Sequence, residues 1–220
     1  CNIPAYSTER VAHTAIMMIL NLSSSMQIQQ AMLARGDRSN FTKCMQVSHV
    51  EVNGKVLGVV GAGTIGREVI KVAQALGMKV LAYTRTPRAD EDNLKYVSLE
   101  ELLKQSDYIS LHCPLTPQTR HMINKETIAM MKPTAYIINT GRGALIDEPA
   151  LIEALKEGRI AGAGLDVQET EPPVQDNPLY DMPNVILTPH MGWKGLETRQ
   201  RLVSILAANI QAFDEGRPQN

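Results

Sequence analysis

Residues 56–66 read Val56-Leu57-Gly58-Val59-Val60-Gly61-Ala62-Gly63-Thr64-Ile65-Gly66, a short apolar run that breaks into three glycines spaced GxGxxG. An apolar run of this length bounded by glycine fits a buried strand, and a helical period follows it. In that strand-turn-helix reading Gly61 makes the tight turn, Gly63 lets a pyrophosphate approach the backbone, and Gly66 permits close strand-helix contact. The helix N-terminus, at Thr64 and Ile65, would offer unbonded N–H groups and a partial positive charge to the same anion. Ile65, Val69, Val72 and Leu76 then form one apolar stripe that Gly77 can terminate. Met78 to Tyr83 reads as a second buried strand, completing a βαβ unit.

The end of that second strand should select the cofactor. An NAD site places Asp or Glu there to accept hydrogen bonds from a ribose 2′-hydroxyl. This chain has Thr84-Arg85-Thr86. A hydroxyl and a guanidinium suit a 2′-phosphate, which a carboxylate would repel. NADP is therefore the expected cofactor and NAD the alternative, the competing reading being that Arg85 is a solvated strand-end residue.

Composition narrows the field. The chain has 220 residues, 44% of them hydrophobic, which is enough for a sizeable core. A formal net charge of −1 and an aromatic content of 4% provide neither the basic footprint nor the stacking platform of a nucleic-acid binder. The most apolar early stretch, Val11 to Leu20, contains His13 and is too short to span a bilayer, so a packed helix capped by Ser7 or Thr8 is expected rather than a membrane segment. Cys1, Cys44 and Cys113 show neither disulfide arithmetic nor metal-ligand spacing, and His13, His49 and His121 lack ligand companions; no metal is expected, and a reducing, cytoplasmic setting fits. The opening Cys1-Asn2-Ile3-Pro4 reads as mid-protein. A polar loop, Arg35 to Asn40, precedes the βαβ unit.

Beyond that unit, apolar strands alternate with helical segments, the pattern of an α/β protein with a Rossmann-like, doubly wound parallel sheet and flanking helices. Strands are expected at Asp107–His112, Ala135–Asn139, Gly162–Val167 and Val185–Leu187, with helices at Leu99–Lys104, Lys125–Met130 and Glu148–Glu157, the last capped by Asp147 and ended by Gly158. Ligands of such sheets lie beyond the carboxyl ends of the strands. That rule singles out His112-Cys113-Pro114, Thr140-Gly141-Arg142-Gly143, Asp166 and Pro189-His190.

Arg142, Glu171 and His190 together resemble a catalytic set. Hydride transfer between a nicotinamide and a 2-oxo acid needs a group that gives or takes the hydroxyl proton, a task suited to histidine near neutral pH. A nearby glutamate would favour imidazolium and orient the ring, and an arginine fork can hold a carboxylate. Taken singly, Arg142 could be a turn residue, Glu171 an exposed loop acid and His190 a strand cap; His112 reads as a strand-end packing residue near the cofactor.

Several motifs in order carry a wider resemblance: GAGTIG at residues 61–66; HCPLTPQTRHMIN, His112 to Asn124; INTGRGALIDEPAL, Ile138 to Leu151; AGAGLDV, Ala161 to Val167; and TPHMGW, Thr188 to Trp193. Over most of its length the chain resembles the nucleotide-binding part of the D-isomer-specific 2-hydroxyacid dehydrogenases, and Trp193 with Arg199-Gln200-Arg201 is similar to the hydroxypyruvate reductase, or glycerate dehydrogenase, branch. The resemblance implies that Arg142 binds substrate, that His190 is the acid/base and Glu171 its partner, and that the substrate is a small 2-oxo or 2-hydroxy acid such as hydroxypyruvate or glyoxylate. The cofactor set then comprises Gly61, Gly63, Thr64, Ile65, Gly66, Thr84, Arg85, His112, Cys113, Pro114, Thr119, Thr140, Gly141, Arg142, Asp166, His190 and Gly192. It also implies a homodimer through the first helix. The expected organisation is a nucleotide-binding domain over 5–191 and a C-terminal helix over 192–220 returning toward a substrate domain whose upstream sequence is largely missing, so that the chain as given should bind cofactor and turn over poorly. The rival reading is a non-enzymatic, nicotinamide-sensing corepressor-like protein; a methyltransferase would not need a histidine after the final strand.

Overall fold

The computed structural model of the chain describes residues 2–41, 47–86 and 88–219; Cys1 and Cys44 lie outside them. The chain begins with α1 (Thr8–Ser23) and α2 (Met26–Ala34) and then enters the sheet at β1 (Val56–Val60). There follow α3 (Thr64–Ala75), β2 (Lys79–Tyr83), β3 (Leu94–Tyr96), α4 (Leu99–Gln105), β4 (Tyr108–Leu111) and α5 (Lys125–Ile128). The second half adds β5 (Tyr136–Asn139), α6 (Glu148–Lys156), β6 (Gly162–Leu165), β7 (Val185–Leu187) and α7 (Leu196–Asp214). All seven strands are parallel, in the order β3-β2-β1-β4-β5-β6-β7. The chain thus reverses direction across the sheet between β1 and β4, the topological switch point where such sheets bind ligands.

Side-chain alternation along the strands builds a core on each face. Leu57 and Val59 of β1 point into one layer with Ala15, Met18 and Ile19 of α1 and Val69 and Ile70 of α3, while Val60 joins Leu102, Leu103, Ile128 and Leu151 of α4, α5 and α6 on the other. Strands buried on both faces read as continuous apolar runs, which is why most of the sheet was visible in the sequence. At the β1-to-α3 turn Gly61 has φ +100°, and an added Cβ would lie 2.6 Å from the Cys113 N and 2.8 Å from the His112 carbonyl carbon. A Cβ on Gly66 would lie 2.1 Å from the Gly61 oxygen.

Several elements differ from expectation, with β4 confined to Tyr108–Leu111 and β6 ending at Leu165 rather than Val167. The edge strand β3 and the helix α2 carry no clear sequence signal, because β3 has three residues with only Leu94 buried and α2 buries only Met32. Helix α5 ends at Ile128 rather than Met130, since the turn leading to Pro133 closes with shorter-range bonds, Met130 N–H to Thr127 O and Met131 N–H to Ile128 O. Asp147 does cap α6, its Oδ1 accepting from Ala150 N–H at 3.2 Å, but Ser7 stands at the α1 N-cap position without a capping side-chain bond. Among the described residues no helix is long and apolar enough to cross a membrane.

Gly61→Ala should therefore destabilise the protein through both its positive φ and its contact with the β4 exit, by about 1–3 kcal/mol, lowering Tm by several degrees in a thermal melt. An unchanged Tm would contradict the close approach.

Candidate active site

The site is built where strands end. His112, Thr140, Arg142, Asp166 and His190, from the C-terminal ends of β4 to β7, line a cavity of ≈ 650 Å³, which Tyr6, Ser7 and Val11 of the α1 entry and Trp193 close on another side. Ile65 brings the start of α3 to the same cavity. Arg67 N–H bonds the Gly63 carbonyl at 2.9 Å, so the N–H groups of Thr64, Ile65 and Gly66 precede the helical ladder. Nothing lies within 4 Å of where a Gly63 Cβ would stand. That open space beside a helix N-terminus fits a pyrophosphate. Deeper in the cavity Thr140 is 8% exposed, and its buried Oγ1 has no hydrogen-bond partner among the described residues. A buried hydroxyl left so is costly unless a ligand completes it.

The loops are held by their own side chains. Asn139 braces the turn that follows β5, with its Nδ2 donating to the Arg142 carbonyl (2.9 Å) and its Oδ1 accepting from Gly141 N–H (3.0 Å). The Arg142 side chain is exposed, one Nη1 donating to the Gly141 carbonyl at 2.8 Å. Asp166, 2% exposed, accepts from Thr188 Oγ1 (2.6 Å), Met191 N–H (2.8 Å) and Gly192 N–H (2.7 Å), which ties the end of β6 to the segment after β7.

His190 sits on that tied segment at φ +49°, and its Nδ1 lies 2.7 Å from Glu171 Oε2. Burial pushes the Glu171 carboxyl up, but hydrogen bonds from the His190 ring and Gln168 N–H, together with the Arg142 charge, outweigh it and hold the carboxyl below its usual range. An ionised carboxylate only accepts, so His190 Nδ1 carries the proton of that bond and Nε2 is the ring nitrogen outside it. Asp166, Glu171 and His190 also border a second hollow of ≈ 380 Å³, beside Pro172, Pro173 and Tyr180.

The neighbouring groups are quieter. Burial pushes the His112 imidazole down to about 4, and its Nε2 stands 2.8 Å from Ser110 Oγ, so this ring is neutral near pH 7. Burial likewise pushes the Cys113 thiol up to about 11, and its Sγ points to Met122 Sδ at 3.6 Å. Pro114, Gly141 and Gly192 line the cavity. Thr119 does not. Its hydroxyl staples the loop after β4, donating to the Pro114 carbonyl (2.7 Å) and accepting from Thr116 N–H (2.8 Å). At the end of β2, Thr84 Oγ1 donates to the Thr86 carbonyl (2.7 Å) and Arg85 is exposed. Sequence reasoning missed Tyr6, Ser7, Val11 and Trp193 as lining residues: an apolar helical stripe does not say that the entry of α1 meets the strand ends, although Trp193 lay within the TPHMGW run. Among the described residues no group of three His, Cys, Asp or Glu side chains could hold a metal ion.

Fold and site together define a dinucleotide-binding α/β domain whose strand ends carry a histidine hydrogen-bonded to a glutamate. Residues 16–192 match the family described as D-isomer specific 2-hydroxyacid dehydrogenase, NAD binding domain. A hydroxypyruvate reductase from Blautia hydrogenotrophica is 44% identical over 223 residues, covering 100% of this chain and 69% of the relative. A glycerate dehydrogenase from Methylorubrum extorquens is 41% identical, again covering 100% of this chain and 69% of the relative. Among solved structures, the TT0316 protein of Thermus thermophilus superposes with a TM-score of 0.91 at 40% identity, covering 98% of this chain and 68% of that one. An acyclic imino acid reductase in complex with NADPH and D-Arg superposes with a TM-score of 0.88 at 33% identity, covering 99% and 68%. The chain belongs to the D-isomer specific 2-hydroxyacid dehydrogenase family and carries that family's NAD-binding domain.

The His112 shift has a pH consequence. The unfolded chain takes up this proton near 6.5, whereas the native chain resists it until about 4, so stability falls as pH drops through that window. His112→Asn should flatten the acid side of a Tm-against-pH curve between those two values relative to wild type. Parallel curves would show that His112 is not held neutral by burial.

Proposed function

We propose that this protein reduces small 2-oxo acids, hydroxypyruvate or glyoxylate, to the D-2-hydroxy acid with a nicotinamide cofactor, NADPH by preference. The observation that carries this reading is the 2.7 Å His190–Glu171 pair, whose histidine lines the same cavity as Arg142 and the Thr140 hydroxyl, which has no partner among the described residues. The relatives that carry the names hydroxypyruvate reductase and glycerate dehydrogenase support the substrate class.

When bound, the reduced nicotinamide supplies the hydride that adds to the carbonyl carbon. The chain's own residues do the rest. Protonated His190 donates from Nε2 to the developing alkoxide and, in the reverse direction, removes the hydroxyl proton. Glu171, ionised at neutral pH, stabilises the imidazolium and fixes the ring. The Arg142 guanidinium, carried on a turn rather than buried in a pair, grips the substrate carboxylate through two parallel N–H bonds and draws electron density from the adjacent carbonyl. Asp166 holds the His190 segment by its three hydrogen bonds, so the acid/base stays at a fixed depth over the cavity. Thr84 and Arg85 receive a 2′-phosphate at the end of β2, where residues 84–86 present no carboxylate.

His190→Ala should lower kcat for hydroxypyruvate by about 10²–10⁴-fold, read as the rate of nicotinamide oxidation; retention of activity within a few-fold would remove His190 from the chemistry. Thr84→Asp should shift the ratio of kcat/KM values from NADPH toward NADH, by like-charge repulsion of the 2′-phosphate and a new acceptor for a 2′-hydroxyl. An unchanged ratio would show that the end of β2 does not read the cofactor's 2′ position.

A further inference from the structure

We propose that Glu148 and Glu169, neither of which touches the cavity, form a bridge that positions Glu171 against His190 and holds it in register with Arg142. The inference rests on the catalytic reading given above and adds positioning residues to it.

Glu171 stands on a segment, residues 166–177, that has no helix or strand to place it. Its location depends on three other loops. The segment lies so close to the turn after Arg142 that a Cβ on Gly143 would sit 1.9 Å from the Gln168 carbonyl oxygen. Across this contact Glu148 and Glu169 exchange bonds: Glu169 N–H donates to Glu148 Oε2 (3.1 Å), and Glu148 N–H donates to Glu169 Oε2 (3.4 Å). The remaining oxygens are also used. Glu148 Oε1 accepts from Nδ2 of buried Asn177 (2.7 Å) at the far end of the segment. Glu169 Oε1 accepts from His121 Nε2 (2.6 Å) and Arg120 Nη2 (3.0 Å) on the loop after β4. Two carboxylates thus fasten the Arg142 turn, the Glu171 segment and the β4 exit to one another.

The chemistry explains why acids stand here. A segment with unpaired N–H groups needs acceptors, and a carboxylate offers two oxygens that can serve two loops at once. Two such acids side by side repel unless donors surround them, and here Arg120 and the backbone N–H groups do so. Within the segment Gln168 N–H donates to Glu171 Oε1 at 3.1 Å, which aims Oε2 at His190. Displacing Gln168 and Glu169 therefore displaces the catalytic carboxylate.

The test uses Glu169→Ala, Glu169→Gln, Glu148→Ala and the double alanine variant, each assayed with hydroxypyruvate and NADPH, with His190→Ala as the control for the catalytic reading. Glu169→Ala should lower kcat about 10-fold, since small misplacements of a catalytic group are costly, while the NADPH dissociation constant, read by nicotinamide fluorescence, stays within about twofold. Glu169→Gln keeps one acceptor oxygen and should recover most of the loss. The double variant should lose less than the product of the two single effects, as expected of one coupled unit. Independently of turnover, the Glu171 carboxyl resonance, followed by carbon-detected NMR, should titrate at higher pH in Glu169→Ala than in wild type. An unchanged Glu171 titration overturns the proposal, as does a wild-type kcat in folded Glu169→Ala. If Glu169→Ala does not fold, Glu148→Ala and Glu169→Gln carry the same two readouts. Absence of any His190-dependent reduction would refute the catalytic reading alone, and the Glu171 titration would still decide whether the bridge positions that carboxyl.

Discussion

The carbonyl of Gly61 and the Cα of Gly66 stand so close that a Cβ on the latter would meet the oxygen at 2.1 Å, and the carboxyl edge of the sheet is arranged around that contact. It presses the first turn of α3 onto the end of β1. Gly61 simultaneously lies against the backbone of His112 and Cys113, so the exits of β1 and β4 are fixed relative to each other at the point where the winding of the sheet reverses. The ladder bonds Gly61 N–H to Tyr83 O and His112 N–H to Val60 O, 2.9 and 2.8 Å, carry the same register outward to β2 and β4. Side chains larger than hydrogen would open this junction and leave no shelf for a dinucleotide.

From that shelf the site extends by polar side chains rather than by further apolar packing. Asn139 shapes the Arg142 turn, Asp166 anchors the segment bearing His190, and Glu148 with Glu169 anchors the segment bearing Glu171. Each anchor is satisfied by several donors or acceptors, and for the buried Asn139 and Asp166 this is the condition under which polar groups specify geometry instead of weakening the fold. Charge then divides the labour. His112, held neutral beside Ser110, contributes shape near the cofactor shelf, whereas the partly exposed His190 faces Glu171, whose carboxyl is held below its usual range.

The fold was largely legible in the sequence because parallel strands buried on both faces leave unbroken apolar runs bounded by glycine or polar residues, as Val56–Val60 and Tyr136–Asn139 show. Strand β3 was not, since an edge strand of three residues with an exposed Lys95 has no period to detect. In the site, residue types at strand ends, such as Asp166 and His190, could be picked out by the rule that ligands lie there. Glu148, Glu169 and Asn177 could not. They act across loops far apart in the chain, and an acid in a loop looks the same in sequence whether it is solvated or bridges two segments. Likewise nothing in the stripe of α1 announces that Tyr6 and Ser7 reach the cavity.

The most direct measurement of the account is isotope transfer. Hydroxypyruvate is reduced with NADPH carrying deuterium at both positions of the reactive nicotinamide carbon, and the product is analysed for label and configuration. The account predicts D-glycerate with one deuterium at C2, formed by direct transfer while His190 supplies the hydroxyl proton from solvent. Unlabelled product, or the L enantiomer, would contradict it.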